Sequence, residues 1–156
     1  MKKVLKSFSI CLIIVAMLCT TAYAAQPDGL QSNSYIVKTT VSPVAFADGV
    51  IEFDCAVVAT GTMDMVGIEQ IVFYQSDGTR LDSHYYTDPG CKDMMGYNSG
   101  SHTADIQFQG KPGQSYYAVV AFYARKGNGS GGVEMTSSLI QAKQYGPVAP
   151  PAIPAY

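Results

Sequence analysis

Two histidines and a few carboxylates are the side chains of this sequence that could carry out acid–base chemistry. We expect His84 to be a solvated surface residue and His102 to lie at the rim of a folded β domain. Glu52 and Asp54 share one face of a strand, where ordinary solvated carboxylates are expected. The sequence has no Gly-x-Ser-x-Gly elbow, no His-Glu-x-x-His helix and no phosphate-binding loop. It therefore predicts a protein that is not an enzyme, with a small secreted hydrolase as the third function considered.

Metal binding has little support in the sequence. Asp88 and Asp93 flank a Pro-Gly turn, and loop carbonyls could complete an oxygen shell for calcium, but their spacing matches no calcium-binding loop. Cys55 and Cys91 are too few for a zinc site without both histidines, and no close ligand pair is present. We therefore predict no metal and no other cofactor.

The segment over residues 87–101 is the surface feature that most favours a binding function. We predict it as a long Gly-rich loop that carries adaptable methionines and amphipathic tyrosines, which are common in contact surfaces. In the alternative interpretation, the two methionines and Tyr97 fold down and cover one open end of the domain. The tyrosine rings could also stack on sugars, although the sequence lacks Trp, which has the largest stacking face. The candidate contact residues are Tyr85, Tyr86, Met94, Met95 and Tyr97.

Cys55 and Cys91 are the two cysteines that follow residue 24. An even pair in an exported domain is most simply a disulfide, which would stabilise the fold by roughly 3–4 kcal/mol. Cys55 lies in the middle of a predicted strand and points inward, so its partner must approach from the loop that carries Cys91. Two buried free thiols are the alternative.

The first 24 residues are typical of a cleaved signal peptide. Three lysines among the first six residues precede an apolar run over 10–18, and Ala22 and Ala24 fit the small-x-small cleavage rule. A lipoprotein would use Cys19, but the residue before it is a leucine, where a small residue is required. The apolar run is too short to span a bilayer. We therefore expect a secreted, extracellular product that begins at Ala25 and has no membrane anchor.

Charge limits the partners of that product. The whole chain has 156 residues and a formal net charge of −2. Cleavage removes three lysines and no acids, which leaves 7 basic and 12 acidic groups, a net charge of −5. This balance disfavours nucleic acid and anionic lipid surfaces. The expected partner is a protein or glycan of unknown identity.

The elements that must position these residues are short strands. Fifteen glycines, eleven tyrosines and eight prolines favour strands and turns, and helical periodicity is absent after residue 24. Alternation of apolar and polar residues places Ile51, Phe53, Cys55, Val57 and Ala59 on one face. Seven strands in about 110 residues predict an all-β, antiparallel, immunoglobulin-like β-sandwich. The predicted strands cover 35–41, 51–59, 68–74, 81–86, 102–109, 116–124 and 133–140.

One segment of the chain resembles a known family. Residues 111–116 (KPGQSY), followed by Ala118, Val120, Phe122 and a Gly-rich turn, look like the end of a fibronectin type III domain. The resemblance covers residues 111–138 and implies a sandwich in which Tyr116 anchors a corner through its hydroxyl. The phenol loses water there, so we expect it to bond to nearby backbone, either in the turn over 110–113 or in the preceding connection. The chain as a whole resembles small exported proteins of Gram-positive bacteria.

The predicted organisation has four parts: a signal peptide (1–24), a flexible lead-in (25–33), a β-sandwich domain (34–143) and a Pro-rich tail (144–156). Four prolines in the last eleven residues favour an extended polyproline conformation. A non-catalytic recognition or adhesion module is the leading functional hypothesis, and a carbohydrate-binding module is the alternative.

Overall fold

The computed structural model of the protein describes residues 34–144. The predicted signal peptide, the lead-in and residues 145–156 of the Pro-rich tail lie outside the described residues. Within 34–144 the chain is all-β and antiparallel with seven strands, which confirms the predicted class. The strands are β1 (Ile36–Ala45), β2 (Val50–Gln75), β3 (Arg80–Tyr85), β4 (Met95–Gln109), β5 (Ser115–Lys126), β6 (Gly129–Thr136) and β7 (Ile140–Gln141).

Helical structure in this part of the chain is confined to two single turns of 3-10 helix, Ala47–Gly49 and Lys92–Met94. Among the described residues, no helix is long and apolar enough to cross a membrane.

Strand β2 organises the sheet. Its 26 residues fuse the two strands predicted over 51–59 and 68–74. Its first half pairs with β1 on one edge and with β4 on the other. Its second half pairs with β5 on the β1 edge and with β3 on the β4 edge. The register with β4 shifts between Val58 and Met63, where β2 bends. All seven strands therefore belong to one curled sheet, a half-barrel, and a division into two separate sheets is not seen in residues 34–144.

The core fills the concave side of this curled sheet. The five inward residues predicted for the first half of β2, from Ile51 to Ala59, are all buried, so the predicted phase is confirmed. Phe73, in the second half of β2, is also buried, and its ring centroid lies 5.5 Å from that of Phe53. This contact joins the two halves of the sheet across the core, and each buried Phe contributes roughly 1.5–3 kcal/mol through its apolar area.

The seven observed strands are not the seven that were predicted. Two predicted strands fuse into β2, and the last one divides into β6 and β7 around the buried Ser137. Strict alternation over the predicted strand 35–41 would place Val37 on one face with Tyr35 and Val41, but a bulge between Ile36 and Lys38 breaks the alternation, and Val37 is 63% exposed. The predicted loop over 87–101 is also wrong in its second half, because β4 already begins at Met95 and pairs there with β2.

Candidate functional site

Met94 and Met95 do not belong to a contact surface. Their exposed fractions are 2% and 3%, so the prediction that they form part of a binding loop is wrong. The reason is Gly67 in β2, where a Cβ would collide with the Met94 carbonyl oxygen and stand 2.8 Å from the Met95 Cα. The missing side chain lets the 92–95 segment lie directly on β2, and Met94 packs into the core. The alternative interpretation had the two methionines and Tyr97 fold down over one end of the domain; both methionines are buried, but Tyr97 is exposed.

The three predicted tyrosines are separated by the fold. Tyr97 and Tyr85 are 59% and 43% exposed, whereas Tyr86 is half-buried against the core. Tyr97 stands opposite Met65 and Tyr85 stands opposite Gln70 on the same edge of β2. Five positions of an extended strand place them roughly 17 Å apart. The predicted residues therefore do not form one continuous patch.

A larger aromatic surface extends between these two residues. Opposite residues of antiparallel strands share a face, so the pairing register shows which side chains lie on the convex side of the sheet. On the half of the sheet built by β3, β2, β5, β6 and the start of β4, the rows that alternate with the core rows carry the tyrosines. We call this the tyrosine face, defined by Tyr74, Tyr85, Tyr97, Tyr117 and Tyr123.

Sequence reasoning missed three members of the tyrosine face. Tyr74, Tyr117 and Tyr123 lie in strands that are apolar on both faces, a pattern that indicates a central strand but not which face is covered. In the structure these strands are central, but only their concave side is covered, and the three tyrosines are half-buried. The signal that could have found them is the residue type, because the second face of these strands carries tyrosine rather than only aliphatic residues.

The rings of the tyrosine face are arranged in two ways. Tyr74 and Tyr117 stack on each other, with ring centroids 5.2 Å apart and ring planes 10° apart. Tyr123 is paired with Gly67 on one side and Gly132 on the other, so neither paired residue has a side chain, and Met95 Sδ lies 3.1 Å from where a Gly67 Cβ would stand. The face thus combines a self-stacked pair with one half-buried ring between two glycines.

The convex side of the other half of the sheet is acidic. Asp54 stands directly opposite Asp105, and Glu52 lies on the same face and accepts a hydrogen bond from the Gln107 amide (3.0 Å). Desolvation raises the pKa of Asp54, and the charges of Asp105 and Glu52 raise it further. Within residues 34–144, no group of three or more acidic, His or Cys side chains is arranged to hold a metal ion. The two convex surfaces therefore differ sharply in chemistry.

Cys55 and Cys91 are both free thiols in the structure, so the predicted disulfide is not seen. Cys55 is buried and paired with Ala104 of β4, whereas Cys91 lines a groove together with Ala104 and Ile106 and no residue of β2. Cys91 is half-buried, whereas Cys55 is 1% exposed.

The groove at Cys91, about 200 Å³ in volume, brings a thiol and an imidazole to the same place. His84 lines it with Cys91, and its Nε2 atom lies 3.9 Å from Asp82 Oδ2. A nucleophilic cysteine needs a lowered pKa. The pKa of Cys91 is instead raised, by desolvation and by the charges of Asp88 and Asp93. The groove thus contains the residue types of a nucleophilic thiol site, but its surroundings raise the pKa of the thiol instead of lowering it.

The second histidine has a structural contact. His102 Nε2 lies 2.6 Å from the carbonyl oxygen of Asp93, which ties β4 to the 3-10 turn before it. Its ring also occupies the space where a Gly96 side chain would lie. Asp88, the other residue considered for calcium, accepts the backbone N–H of Tyr85 at 2.8 Å. These contacts hold the 86–95 segment in place.

A second groove, about 280 Å³ in volume, lies where β3 approaches the turn between β4 and β5. Tyr116 forms its buried wall, and the Tyr116 hydroxyl accepts the Lys111 N–H (2.8 Å) and donates to Gln114 Oε1 (3.1 Å). The partner in the turn is the one expected from the sequence. Gly110 makes this possible, since a Cβ there would stand 2.6 Å from the Tyr116 ring. The amide side chains of Gln75 and Gln109 complete the groove.

Comparisons with protein-family models, curated proteins and solved structures gave no match. The function must therefore be inferred from the two convex surfaces and the two grooves.

Proposed function

We propose that this protein is an exported, non-catalytic recognition module that binds a protein partner through its tyrosine face. The observation that carries this proposal is the concentration of five tyrosines on the convex side of one half of the sheet, opposite the core. Tyrosine and arginine are enriched where proteins bind each other, because each combines a large contact area with a polar end.

The composition of the tyrosine face favours a protein over a sugar. Val72 and Val119 form one row between the tyrosines and are half-buried, so this part of the face is apolar, while the next row carries Gln70, Ala121 and the exposed Glu134. Tyr74 and Tyr117 cover each other's inner ring faces, which removes those faces from stacking on a sugar. Arg80 and Arg125 lie in the outermost rows, opposite Tyr74 and Met65. The matching partner has an apolar patch with a carboxylate at each end.

Export and family relationship belong to the same proposal. Cleavage after Ala24 would release a chain with a net charge of −5, whose negative charge includes the acidic cluster Glu52, Asp54 and Asp105 on the other convex surface. A partner that is attracted to the arginine-flanked tyrosine face would be repelled by that acidic surface, which orients the encounter. The fibronectin type III-like resemblance of residues 111–138 extends the proposal to an immunoglobulin-like relationship.

The proposal can be tested with face-specific variants and proteins from the source cells. The purified protein, the double variant Tyr117→Ser/Tyr123→Ser and the control Asp54→Asn/Asp105→Asn are each immobilised and incubated with the extracellular protein fraction. We expect a bound protein that is retained by the wild type and the control but lost from the tyrosine variant. Retention by the tyrosine variant together with loss from the acidic-face control would overturn the proposal.

A further inference from the structure

We infer that the groove between β3 and the β4–β5 turn is a binding site for a neutral sugar residue. This site goes beyond the proposed function, since it uses none of the residues of the tyrosine face. The residues that carry the argument are Gln75, Asp82, Phe108, Gln109, Lys111 and Gln114.

Two of the amide side chains are oriented by hydrogen bonds to other parts of the protein. Gln114 accepts the Tyr116 hydroxyl through Oε1, which leaves its N–H donors uncommitted. Gln109 donates through Nε2 to the carbonyl oxygens of Asp48 (2.6 Å) and Gly110 (3.3 Å), which leaves its own carbonyl oxygen uncommitted. The groove therefore presents one oriented donor group and one oriented acceptor. Groups whose orientation is already set lose less entropy when a ligand binds.

Two further polar side chains are available to a ligand. Among the described residues, the Gln75 amide and the Lys111 ammonium group have no side-chain hydrogen bond or ion pair. Asp82 brings one negative charge beside the positive charge of Lys111, so the lining has no net charge. A phosphate or nucleotide would need several cations. A sugar hydroxyl both donates and accepts, so it can bond to the N–H group of one amide and to the carbonyl oxygen of another.

The apolar part of the groove fits the C–H face of a sugar ring. Phe108 is half-buried and stacks on Phe73 with ring centroids 4.8 Å apart, so its position is set by the core. Leu81 also lines the groove and is exposed. A volume of about 280 Å³ is at the small end of ligand pockets, which leaves space for about one sugar residue.

A peptide that joins the sheet as a new strand beside β3 is the competing occupant, but hydrogen bonds at the β3 edge disfavour it. The Tyr86 N–H bonds back to Glu69 of β2, so the N–H groups of Ser83 and Tyr85 point away from β2. They donate to Asp82 Oδ1 (2.7 Å) and Asp88 Oδ2 (2.8 Å) instead of remaining available to a new strand. Strand addition at this edge would have to break both bonds.

The test uses the purified protein labelled with ¹⁵N and titrated with glucose, galactose, mannose and N-acetylglucosamine. We expect at least one of them to shift the side-chain amide resonances of Gln75, Gln109 and Gln114. Gln75→Leu and Lys111→Met should each weaken that binding by about 5–10-fold, the scale of one lost hydrogen bond. Neither side chain supports the fold, because the Tyr116 corner uses only the Lys111 backbone.

Gln70→Leu and Lys126→Met are the matched controls, and both should bind as the wild type does, because neither residue lines the groove. Absence of any shift with all four sugars would overturn the inference. So would binding that Gln75→Leu and Lys111→Met leave unchanged, or shifts of the β3 backbone amides with an extended peptide but not with sugars. The tyrosine variants are tested separately, so failure of this site and failure of the proposed recognition face are distinguishable.

Discussion

The Tyr116 hydroxyl accepts a hydrogen bond from the backbone N–H of Lys111, five residues earlier, at 2.8 Å. The ring reaches this position because it is buried at the start of β5 and packs edge-on against Phe108, with ring centroids 5.2 Å apart. This contact closes the turn between β4 and β5 and forms one wall of the proposed sugar groove.

Removing this hydroxyl should destabilise the protein. Tyr116→Phe leaves the Lys111 N–H without its acceptor and should lower the free energy of unfolding by about 1–2 kcal/mol. Tyr116→Ala also opens a cavity and should cost about 3–5 kcal/mol. Tyr117→Phe, on the convex face, should change stability by less than about 0.5 kcal/mol. Urea denaturation of the three variants provides the measurement, and a larger cost for Tyr117→Phe than for Tyr116→Phe would contradict this account of the corner.

Two glycines of β2 should respond oppositely to alanine. Gly67→Ala places a methyl group against the backbone of Met94 and Met95, and overpacking of this kind costs roughly 1–3 kcal/mol. Gly61→Ala meets nothing within 4 Å and should be neutral or slightly stabilising. Thermal melts followed by circular dichroism compare the two. Equal melting temperatures would show that the 92–95 segment does not lie on Gly67 as described.

Thiol chemistry tests the absence of the disulfide. The proposed mature chain from Ala25 should contain two titratable thiols, of which only Cys91 reacts before unfolding, because Cys55 is buried. The raised pKa of Cys91 means less thiolate at pH 8 than in a free peptide, so its alkylation should be slower and should still accelerate above pH 9. Intact mass after alkylation in denaturant is the measurement. A mass showing no alkylated cysteine at positions 55 and 91 would establish a bridge.

Burial of Cys55 should also make stability depend on alkaline pH. Burial raises the pKa of this thiol to about 12, from an ordinary value of 9.0. Between these values the unfolded chain releases a proton that the native state keeps, so the free energy of unfolding should fall as the pH rises above about 9. Cys55→Ala should show a shallower decline than the wild type in urea titrations from pH 8 to 10. Equal slopes would indicate that Cys55 ionises normally in the native protein.

The carboxylates on the β3 edge should prevent self-association. Asp82→Ala/Asp88→Ala frees the N–H groups of Ser83 and Tyr85 and exposes an unprotected strand edge. We expect this variant to form dimers or larger species in sedimentation velocity runs at concentrations where the wild type does not. Asp93→Ala is the control, because this side chain is exposed and caps no β3 N–H group. Identical sedimentation of the wild type and both variants would show that these two residues do not protect the β3 edge.

The sequence predicted the fold where alternation is strict and failed where contacts distant in sequence decide the structure. The first half of β2 was placed correctly because charged residues alternate with apolar ones from Ile51 to Ala59. The fusion with the second half was not foreseeable, because Thr60, Gly61 and Thr62 have the composition of a loop. They continue the strand only because β1, β4 and β5 pair on either side of them.

The candidate sites show the same division. Tyr116 was identified from a local turn motif, and its partner lies within five residues. Met94 and Met95 were misplaced because their burial depends on Gly67, which is distant in sequence. The proposed sugar groove draws on four strands and one turn, so no local pattern could have brought Gln75 and Gln114 together. A site built from several strands can be predicted only when the pairing register of those strands is known.

The central claim, recognition through the tyrosine face, is tested most directly by site-specific photo-cross-linking in the source cells. The cross-linking amino acid p-benzoylphenylalanine replaces Tyr123 in one variant and Asp54 in another, because these positions lie on the two opposite convex surfaces. The account predicts that irradiation produces a cross-linked protein adduct from position 123 and none from position 54. An adduct from position 54 with none from position 123 would contradict it.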